Sequence, residues 1–300
     1  MTMTTRTIGF WAALSMTLIA CGAPEVATEG GGDDGEIATA AQEIEGFTFD
    51  ARELATAPAA RLPAARLTLR SFDDALIQRS LIGADQQFTP LSELGRRTEH
   101  ESADWTYEKD PSNGQVLVLR KTPSGPRISP DEALLQRNAL ARLNSWGIPN
   151  DEIGAVVQRR TLREDQDGTA ASAPEVHRYK TFVFRAVNGV RVQGHRAVVT
   201  HTLDGTFNRA LIRWPAIAST GHRLRTALTA PEIERRAVEA LSAEGERGGS
   251  VRLRWKYVAT PLTSGEVTLT LTVGAILGTG ATPSGVTEEP REVDIDVAAP

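Results

Sequence analysis

The sequence is poor in cysteine, lysine and aromatic residues, and these shortages exclude several classes of protein. One cysteine in 300 residues rules out an internal disulfide bond and a zinc site built from several thiolates. Aromatic residues make up 5% of the chain, and its composition excludes a protein with several membrane spans. With 40% hydrophobic and 24% charged residues, the chain is typical of a globular protein with one or two hydrophobic cores.

The motifs of common enzyme classes are also missing. No Gly-x-Ser-x-Gly elbow occurs, and no lysine follows a glycine, which excludes the usual phosphate-binding loop. The string nearest to a zinc-protease motif, His-Glu-Ser-Ala-Asp at 100–104, has aspartate where zinc requires a second histidine. His195 and His201 lie about 20 Å apart on one predicted strand and cannot share a metal. Either could pair with His177, but core or solvated histidines are commoner. We expect no cofactor, no metal, no catalytic residue and no enzymatic activity.

The first 21 residues contain the most specific motif of the chain. Arg6 precedes a largely apolar run from Ile8 to Ala20, which is too short to span a membrane but suits a secretory signal peptide, residues 1–20. The run ends in Leu-Ile-Ala-Cys, which resembles a bacterial lipobox, with the only cysteine, Cys21, at the lipidated position. The resemblance implies a lipid anchor in the cell envelope, and Gly22 favours the outer over the inner membrane. The alternative is a buried core cysteine.

Residues 21–45 are predicted to form a disordered acidic tether. They contain seven acidic residues and neither basic nor aromatic residues, so they cannot bury enough apolar surface to fold alone. These acids account for the net charge of −5, because the remaining body is close to neutral. We interpret the segment as a spacer between lipid and folded body, and the alternative is an acidic binding tail.

The folded body is predicted to be α+β and to consist of three segments. Residues 46–128 contain a short helix and a β-hairpin formed by 105–109 and 115–121. Residues 129–220 begin with Ser-Pro-Asp-Glu, and residues 221–300 contain Thr-Ala-Pro-Glu; both strings predict a capping box that starts a helix. Alternating strands follow each helix, which predicts tandem modules of a helix and an antiparallel sheet.

Turn signals separate the predicted strands of the middle segment. Asn188-Gly189 and Asp204-Gly205 are predicted to be two-residue hairpin turns, in which positive φ angles match the twist of the strands. These turns separate three predicted strands, 177–187, 190–203 and 206–214, and a fourth strand is predicted at 154–162.

Charge alternation near the C-terminus predicts a contact between two strands. Three bases, Arg252, Arg254 and Lys256, share one face of strand 251–257. Three acids, Glu292, Asp294 and Asp296, alternate with the apolar residues of the C-terminal strand 292–297 and share one of its faces. We hypothesise that the two strands are neighbours and that these charges pair, at roughly 0.2–1 kcal/mol for each pair. The alternative is that the three bases bind an anionic ligand.

One string resembles a known family. Gly-Val-Arg-Val-Gln-Gly at 189–194, followed by an apolar strand and Asp204-Gly205, resembles a motif of fungalysin and thermolysin propeptides. The helix and strands that follow resemble a PepSY module, and the likeness covers about residues 130–297. Arg191 departs from the family pattern, which usually has proline there. The resemblance implies a module that assists and inhibits a metalloprotease, although no protease motif occurs in this chain.

These observations predict a non-enzymatic cell-envelope lipoprotein that binds a protein or peptide partner, such as an exported peptidase that it inhibits or helps to fold. Strands 189–214 are the candidate surface, because an exposed edge can accept a partner strand. The candidate binding residues are Gly189, Val190, Val192, Gly194, Asp204 and Gly205. The alternatives are a hydrolase with a site built from scattered residues and a structural envelope component. Nucleic-acid binding is not expected, because no basic stripe with interleaved aromatics is recognisable.

Overall fold

A computed structural model gives the fold of the chain. It describes residues 43–55, 66–70, 73–82, 88–94, 97–110, 114–121, 128–163, 166–167, 170–171, 175–219, 228–261, 267–278 and 291–297. The predicted signal peptide, the lipidation site Cys21 and most of the predicted tether lie outside these residues. The helices of the described part are α1 (Arg52–Ala55), α2 (Ala75–Ile82), α3 (Glu132–Ser145) and α4 (Ala230–Ala243).

Strands dominate the described residues. They are β1 (Glu43–Ile44), β2 (Phe47–Asp50), β3 (Arg66–Arg70), β4 (Thr89–Leu94), β5 (Arg97–Glu101), β6 (Trp105–Asp110), β7 (Gln115–Arg120), β8 (Ile153–Arg163), β9 (Gln166–Asp167), β10 (Ala170–Ala171), β11 (Glu175–Val187), β12 (Val190–His201), β13 (Phe207–Arg213), β14 (Ala216–Ser219), β15 (Gly249–Pro261), β16 (Val267–Leu277) and β17 (Arg291–Asp296). The strands predicted from alternation are confirmed, with ends that differ by up to four residues.

Most strands belong to one large mixed sheet. Its N-terminal half is antiparallel, in the order β8-β11-β12-β13-β7-β6-β5-β4. Its C-terminal half is built on the β15-β16 pair, with β2 beside β15, β17 and β3 beside different parts of β16, and β14 beside β3. Residues 46–128 supply strands to both halves. Helices combined with this sheet make the fold α+β.

Two strand pairs are parallel, so the expectation of purely antiparallel sheets is wrong at these contacts. Arg191 and Val192 of β12 lie beside Lys256 and Tyr257 of β15, which joins the two halves of the sheet. β2 also runs parallel to the first residues of β15. Neither pair is connected by a tight hairpin, which would have forced an antiparallel orientation.

The helix of the middle segment starts two residues later than its capping box predicts. Asp131, and not Ser129, is the N-cap of α3, and its carboxylate accepts a hydrogen bond from the backbone N–H of Ala133 at 2.9 Å. The helix ends as predicted, because Gly147 adopts a positive φ of 86° and the N–H of Ile148 donates to Leu143.

The second predicted capping box forms only in part. Thr229 is the N-cap of α4, as predicted, but its side chain makes no capping hydrogen bond. The carboxylate of Glu232 instead accepts hydrogen bonds from the guanidinium groups of Arg235 and Arg236 on the same helix. The predicted apolar stripe is confirmed, since Ile233, Ala237, Val238 and Leu241 are buried.

The two predicted hairpin turns differ from each other. Asn188 and Gly189 adopt φ angles of 51° and 80°, and Val187 pairs with Val190, which confirms the two-residue turn. At Asp204-Gly205 only the glycine has a positive φ, and the N–H of Gly205 donates to Thr202. This second connection is therefore a three-residue loop with a glycine bulge, held by a hydrogen bond from the Thr206 N–H to the Asp204 carboxylate.

Two hydrophobic cores lie behind the sheet. One joins α3 and α2 to the N-terminal half and contains Trp146, Val183, Ala197, Val199 and Ile212. The other joins α4 to the C-terminal half and contains Ile233, Leu241, Leu253, Tyr257 and Leu271. Within the described residues, none of the helices has both the length and the apolar character needed to cross a lipid bilayer.

A buried carboxylate fixes α2 to the N-terminal half of the sheet. Asp74 accepts hydrogen bonds from the Tyr107 hydroxyl, from the Gln78 amide at 2.8 Å and from the Lys109 ammonium group. Burial opposes ionisation of Asp74, but these donors outweigh it and lower the pKa of the carboxyl group. Burial also raises the pKa of Tyr107, so its hydroxyl remains a donor.

Candidate binding face

The predicted edge for strand addition does not exist in the structure. β12 pairs with β11 on one side and with β13 and β15 on the other, and β13 pairs with β12 and β7. Because the backbone groups of both strands are used within the sheet, neither strand can accept a partner strand. β7 comes from residues 46–128; a local pattern correctly predicts its hairpin with β6, but none indicates its pairing with β13.

The six residues proposed for that edge lie in turns and in the core. Gly189, Asp204 and Gly205 are turn residues, and Gly194 has a φ of 76° at the irregular pairing of β11 with β12. Val190 and Val192 are buried in the C-terminal core. The structure therefore does not bring these six residues together on one exposed edge.

The hypothesis that β17 and β15 are neighbours is also wrong. β16 lies between them, so that Gly274 stands between Arg254 and Asp294 in the strand register. The charges nevertheless share one face and meet across this glycine, because Lys256 contacts Glu292 at 2.8 Å and also Asp294. Arg254 contacts Glu292 at 3.3 Å.

The alternative of an anionic-ligand site on β15 is not supported either. The remaining base of the three, Arg252, pairs with Glu53 of α1. Each of the three cations therefore contacts a carboxylate of the protein itself. Burial opposes ionisation of Glu292, but its hydrogen bond with Lys256 and the charges of Lys256 and Arg254 lower its pKa.

A different surface, on the side of the N-terminal half opposite α3, carries several cations, and among the described residues Lys180, Arg209 and Arg213 of this surface have no ion-pair partner. We call it the basic face and define it by three cross-strand rows, each formed by residues that lie opposite one another on neighbouring strands. The cationic row is Arg159, Lys180, Thr200, Arg209 and Leu119; the apolar row is Val157, Phe182, Val198, Leu211 and Leu117; the arginine row is Phe184, Arg196, Arg213 and Gln115.

Strand alternation places all three rows on the same side. Val183, Ala197, Val199 and Ile212 point into the core under α3, so their neighbours along each strand point to the opposite side. Most residues of the rows are partly or fully exposed, and the more buried members are Val198 at 8% and Thr200 at 3% exposure. The basic face is thus open to solvent along its cationic and arginine rows.

The cations of the basic face repel one another. Within the part of the chain that the structure describes, no ion pair is formed by Lys180, Arg209 or Arg213 of these rows, or by Arg178, which lies two residues before Lys180 on β11. Burial lowers the pKa of Lys180, and the nearby charges of Arg209 and Arg178 lower it further. Arg159 also lies directly opposite Lys180 on β8, and like charges placed in this way are destabilising. An anionic group bound here would remove this repulsion.

The basic face continues into the C-terminal half through Arg191. Its guanidinium group lies over the Phe184 ring, 4.7 Å from the ring centroid. Burial lowers the pKa of Arg191, and the charge of Arg254 lowers it further, while Glu292 opposes this. The acids of β17 therefore mark the end of the unneutralised region.

A buried polar cluster supports the sheet behind the basic face. The Arg185 side chain is 1% exposed and forms a salt bridge with Glu152 at 2.7 Å and a hydrogen bond to the Pro215 carbonyl at 2.6 Å. Trp214 donates its indole N–H to the same Glu152 carboxylate at 2.7 Å. Burial lowers the pKa of Arg185, and the charge of Glu152 opposes this shift. The cluster holds β11, β13 and the residues before β8 together.

The two histidines of β12 are core residues. Burial lowers the pKa of His195 to about 3, with Arg185 and Arg213 adding to the effect, and burial together with Arg142 lowers that of His201 to about 4. Both are therefore neutral at physiological pH. Among the described residues, no three His, Cys, Asp or Glu side chains are grouped in a way that could hold a metal ion.

A groove lies near the start of α3. Ile128, Pro130, Val176 and Leu203 form part of its lining, together with several polar side chains. Two of its charged residues, Glu132 and Arg160, form a salt bridge at 2.6 Å, so they neutralise each other.

Sequence reasoning missed the basic face. Its cations come from four strands, and each cation, taken alone, has the pattern of a solvent-facing residue on an amphipathic strand. The available signal was the repeated Arg-x-Lys or Arg-x-x-x-Arg spacing at Arg178-Lys180 and Arg209-Arg213, which places cations on one face of a strand. Only the strand order reveals that these faces adjoin.

Comparisons with known proteins give limited likeness. No family model matches the chain, and no curated protein matches it. An uncharacterized protein from Eubacterium rectale is similar with a TM-score of 0.41 and 11% identity, over 77% of this chain and 82% of that chain. The YpeB C-terminal domain from Bacillus megaterium is similar with a TM-score of 0.31 and 12% identity, over 76% of this chain and 99% of that chain. At these TM-scores, neither likeness assigns a function.

Proposed function

We propose that this protein is a non-enzymatic cell-envelope lipoprotein that binds an acidic protein or peptide partner on its basic face. The observation that carries the proposal is the cationic row, in which Lys180 and Arg209 lack an ion-pair partner among the described residues. The apolar row beside it adds hydrophobic contact area for the partner to the attraction between opposite charges. Acidic side chains of a partner would relieve the repulsion and pair with exposed cations.

The lipobox resemblance supports the location of this activity. Lipid on Cys21 would hold the protein at a membrane, with the outer membrane favoured, and the tether would allow the folded body to reach partners. A Cys21→Ala variant is expected to leave the membrane fraction in cell fractionation. Its retention there would contradict the anchor but not the binding activity.

The propeptide resemblance supports an exported peptidase as the partner. Modules of that family inhibit and assist a protease, and the motif from Gly189 to Gly205 is the basis for extending this role to a separate chain. Pull-down from an envelope extract with the wild-type protein is expected to recover a peptidase. Recovery of no protein partner would remove the support for this role.

A direct test of the basic face uses poly-L-glutamate as an acidic probe. The wild-type chain is expected to bind labelled poly-L-glutamate in fluorescence anisotropy, more tightly at low salt than at 0.15 M salt. The double variant Lys180→Gln/Arg209→Gln is expected to bind about tenfold more weakly, because exposed ion pairs contribute roughly 0.2–1 kcal/mol each.

The matched control is Arg137→Gln, which removes an exposed cation from α3 on the opposite side of the sheet. It is expected to bind poly-L-glutamate like the wild type. Equal weakening by the control and the double variant would show that net charge, and not the basic face, governs binding. Absence of binding at low salt would overturn the proposal.

A further inference from the structure

We infer that the partner segment bound by the basic face is an acidic amphipathic α-helix that lies across strands β8, β11, β12, β13 and β7. This inference rests on the proposed function and specifies the form of its partner. It follows from the dimensions of the rows, from their charges and from the hydrogen bonding of the sheet beneath them.

The apolar row has the length of a short helix. It contains one side chain from each of five neighbouring strands, which are Val157, Phe182, Val198, Leu211 and Leu117. Neighbouring strands lie about 4.8 Å apart, so the row is roughly 19 Å long. A helix rises 1.5 Å per residue, so about 13 residues would cover the row.

The distance between the two charged rows matches the width of a helix. Lys180 and Arg209 lie on one side of the apolar row, and Arg196 and Arg213 lie on the other. Each charged row is two residues away along the strands, so roughly 13 Å separates the two. A helix with its side chains is about 10–12 Å wide. Carboxylates on both flanks of its apolar ridge would therefore reach both charged rows.

An extended peptide does not fit this surface. The central strands β11, β12 and β13 are paired on both sides, so their backbone groups are unavailable to a peptide that lies on the face. An extended peptide over the apolar row would bury backbone donors and acceptors without partners. A helix satisfies these groups internally, as α3 does on the other side of the same sheet.

Acidic side chains mark where the site ends. Beyond Leu117 the apolar row continues to Glu108 of β6 and Glu99 of β5. These positions offer an acidic helix no cation, and Glu108 already pairs with Arg97 at 3.1 Å, so we expect the helix to end at β7. At the other end of the basic face, Glu292 and Asp294 already neutralise Arg254 and Lys256.

The test compares three labelled peptides of about 13 residues, each titrated with the full chain in detergent at 0.15 M salt. The first two have identical composition and are made from Glu, Leu, Ala and Gln. The first peptide places Leu on one ridge of the helix and Glu on both sides of that ridge. The second has the same residues in scrambled order. The third is residues 22–34 of this chain, a natural acidic sequence. The amphipathic peptide is expected to bind at least about tenfold more tightly than the others and to gain helical circular dichroism.

Protein variants locate the contact. Leu211→Gln changes the partly exposed residue next to the middle of the apolar row. It is expected to weaken binding of the amphipathic peptide about fivefold to tenfold and to affect the scrambled peptide little. The matched control is Leu134→Gln, which changes a leucine of α3 that is 45% exposed. It is expected to leave both affinities unchanged, and thermal unfolding of each variant checks that it is folded.

The outcomes separate this inference from the proposed function. Equal binding of the amphipathic and scrambled peptides would overturn the helix while leaving acidic recognition in place. Tightest binding of peptide 22–34 would overturn it too, because the occupant would be the chain's own acidic segment. Failure of all three peptides and of poly-L-glutamate to bind at low salt would overturn both proposals.

Discussion

Two rows of residues, one in each half of the sheet, have the same geometry but opposite charge balance. In the C-terminal half, Gly274 separates Arg254 from Asp294. In the N-terminal half, Thr200 separates Lys180 from Arg209. In the first row acids form ion pairs with the cations, whereas in the second row cations lie on both sides of the middle strand. The difference indicates that the charges of the first row stabilise the fold and that those of the second row are available to bind a partner.

The strongest test of this difference is to remove the acid that neutralises the C-terminal row. In Glu292→Gln the ammonium group of Lys256, whose side chain is 2% exposed, keeps Asp294 as its ion partner. Removing one partner of a buried ion pair costs about 3–5 kcal/mol of unfolding free energy. Because Glu292 is partly exposed and Asp294 still pairs with Lys256, we expect Glu292→Gln to lose about 2 kcal/mol. Urea unfolding at pH 7 measures the loss.

The matched change in the other half is Lys180→Gln. Because it removes repulsion between Lys180 and its neighbours Arg209 and Arg178, we expect no loss of unfolding free energy. A loss as large as that of Glu292→Gln would contradict the comparison, since it would mean that Lys180 also has a stabilising partner.

The pH dependence of stability provides a second test. The pKa of Glu292 is lower in the folded protein than its ordinary value of about 4.3. The ionised carboxylate therefore stabilises the fold above that ordinary value, and this contribution is lost as the pH falls through the lowered pKa. We expect the stability difference between wild type and Glu292→Gln to shrink between pH 5 and the acid limit of folding. A difference that is constant with pH would show that the contact is not electrostatic.

Filling the gap at Gly274 tests how the charges reach each other. A Cβ atom at this position would lie 2.5 Å from the Glu292 carboxylate and 3.1 Å from Cε of Lys256. Gly274→Ala must therefore displace the flexible end of Glu292, and we expect a loss of about 1 kcal/mol. In a double-mutant cycle, the loss should largely disappear when Glu292→Gln is already present. Additive losses would show that the glycine matters for another reason.

Local patterns of the sequence predicted most individual elements but few of their contacts. Asn188-Gly189 and the apolar stripe of α4 depend on neighbouring residues, so they are readable from the sequence. The pairing of β17 with β16 depends on residues far apart, and alternation predicted only which charges share a face. The edge proposed at β12 failed for the same reason, because β7 and β15 come from distant parts of the chain. The basic face likewise could not be predicted from local patterns, because only the strand order shows that its cations form one surface.

The last prediction converts the N-terminal row into the arrangement of the C-terminal one. Arg209→Glu places an acid across Thr200 from Lys180, where a cation now repels it. Directly opposite charges on neighbouring strands contribute roughly 0.2–1 kcal/mol. Because one strand separates position 209 from Lys180, we expect a gain near the lower end, about 0.2 kcal/mol in unfolding free energy. The same variant should lose binding of poly-L-glutamate, whereas Arg137→Glu on α3 should lose much less. A site kept for an acidic partner must gain stability when the repulsion between its cations is removed, and must lose affinity for the partner in the same step. A variant that is less stable than the wild type and still binds poly-L-glutamate would therefore show that the cations of the basic face neither repel one another nor bind an acidic partner.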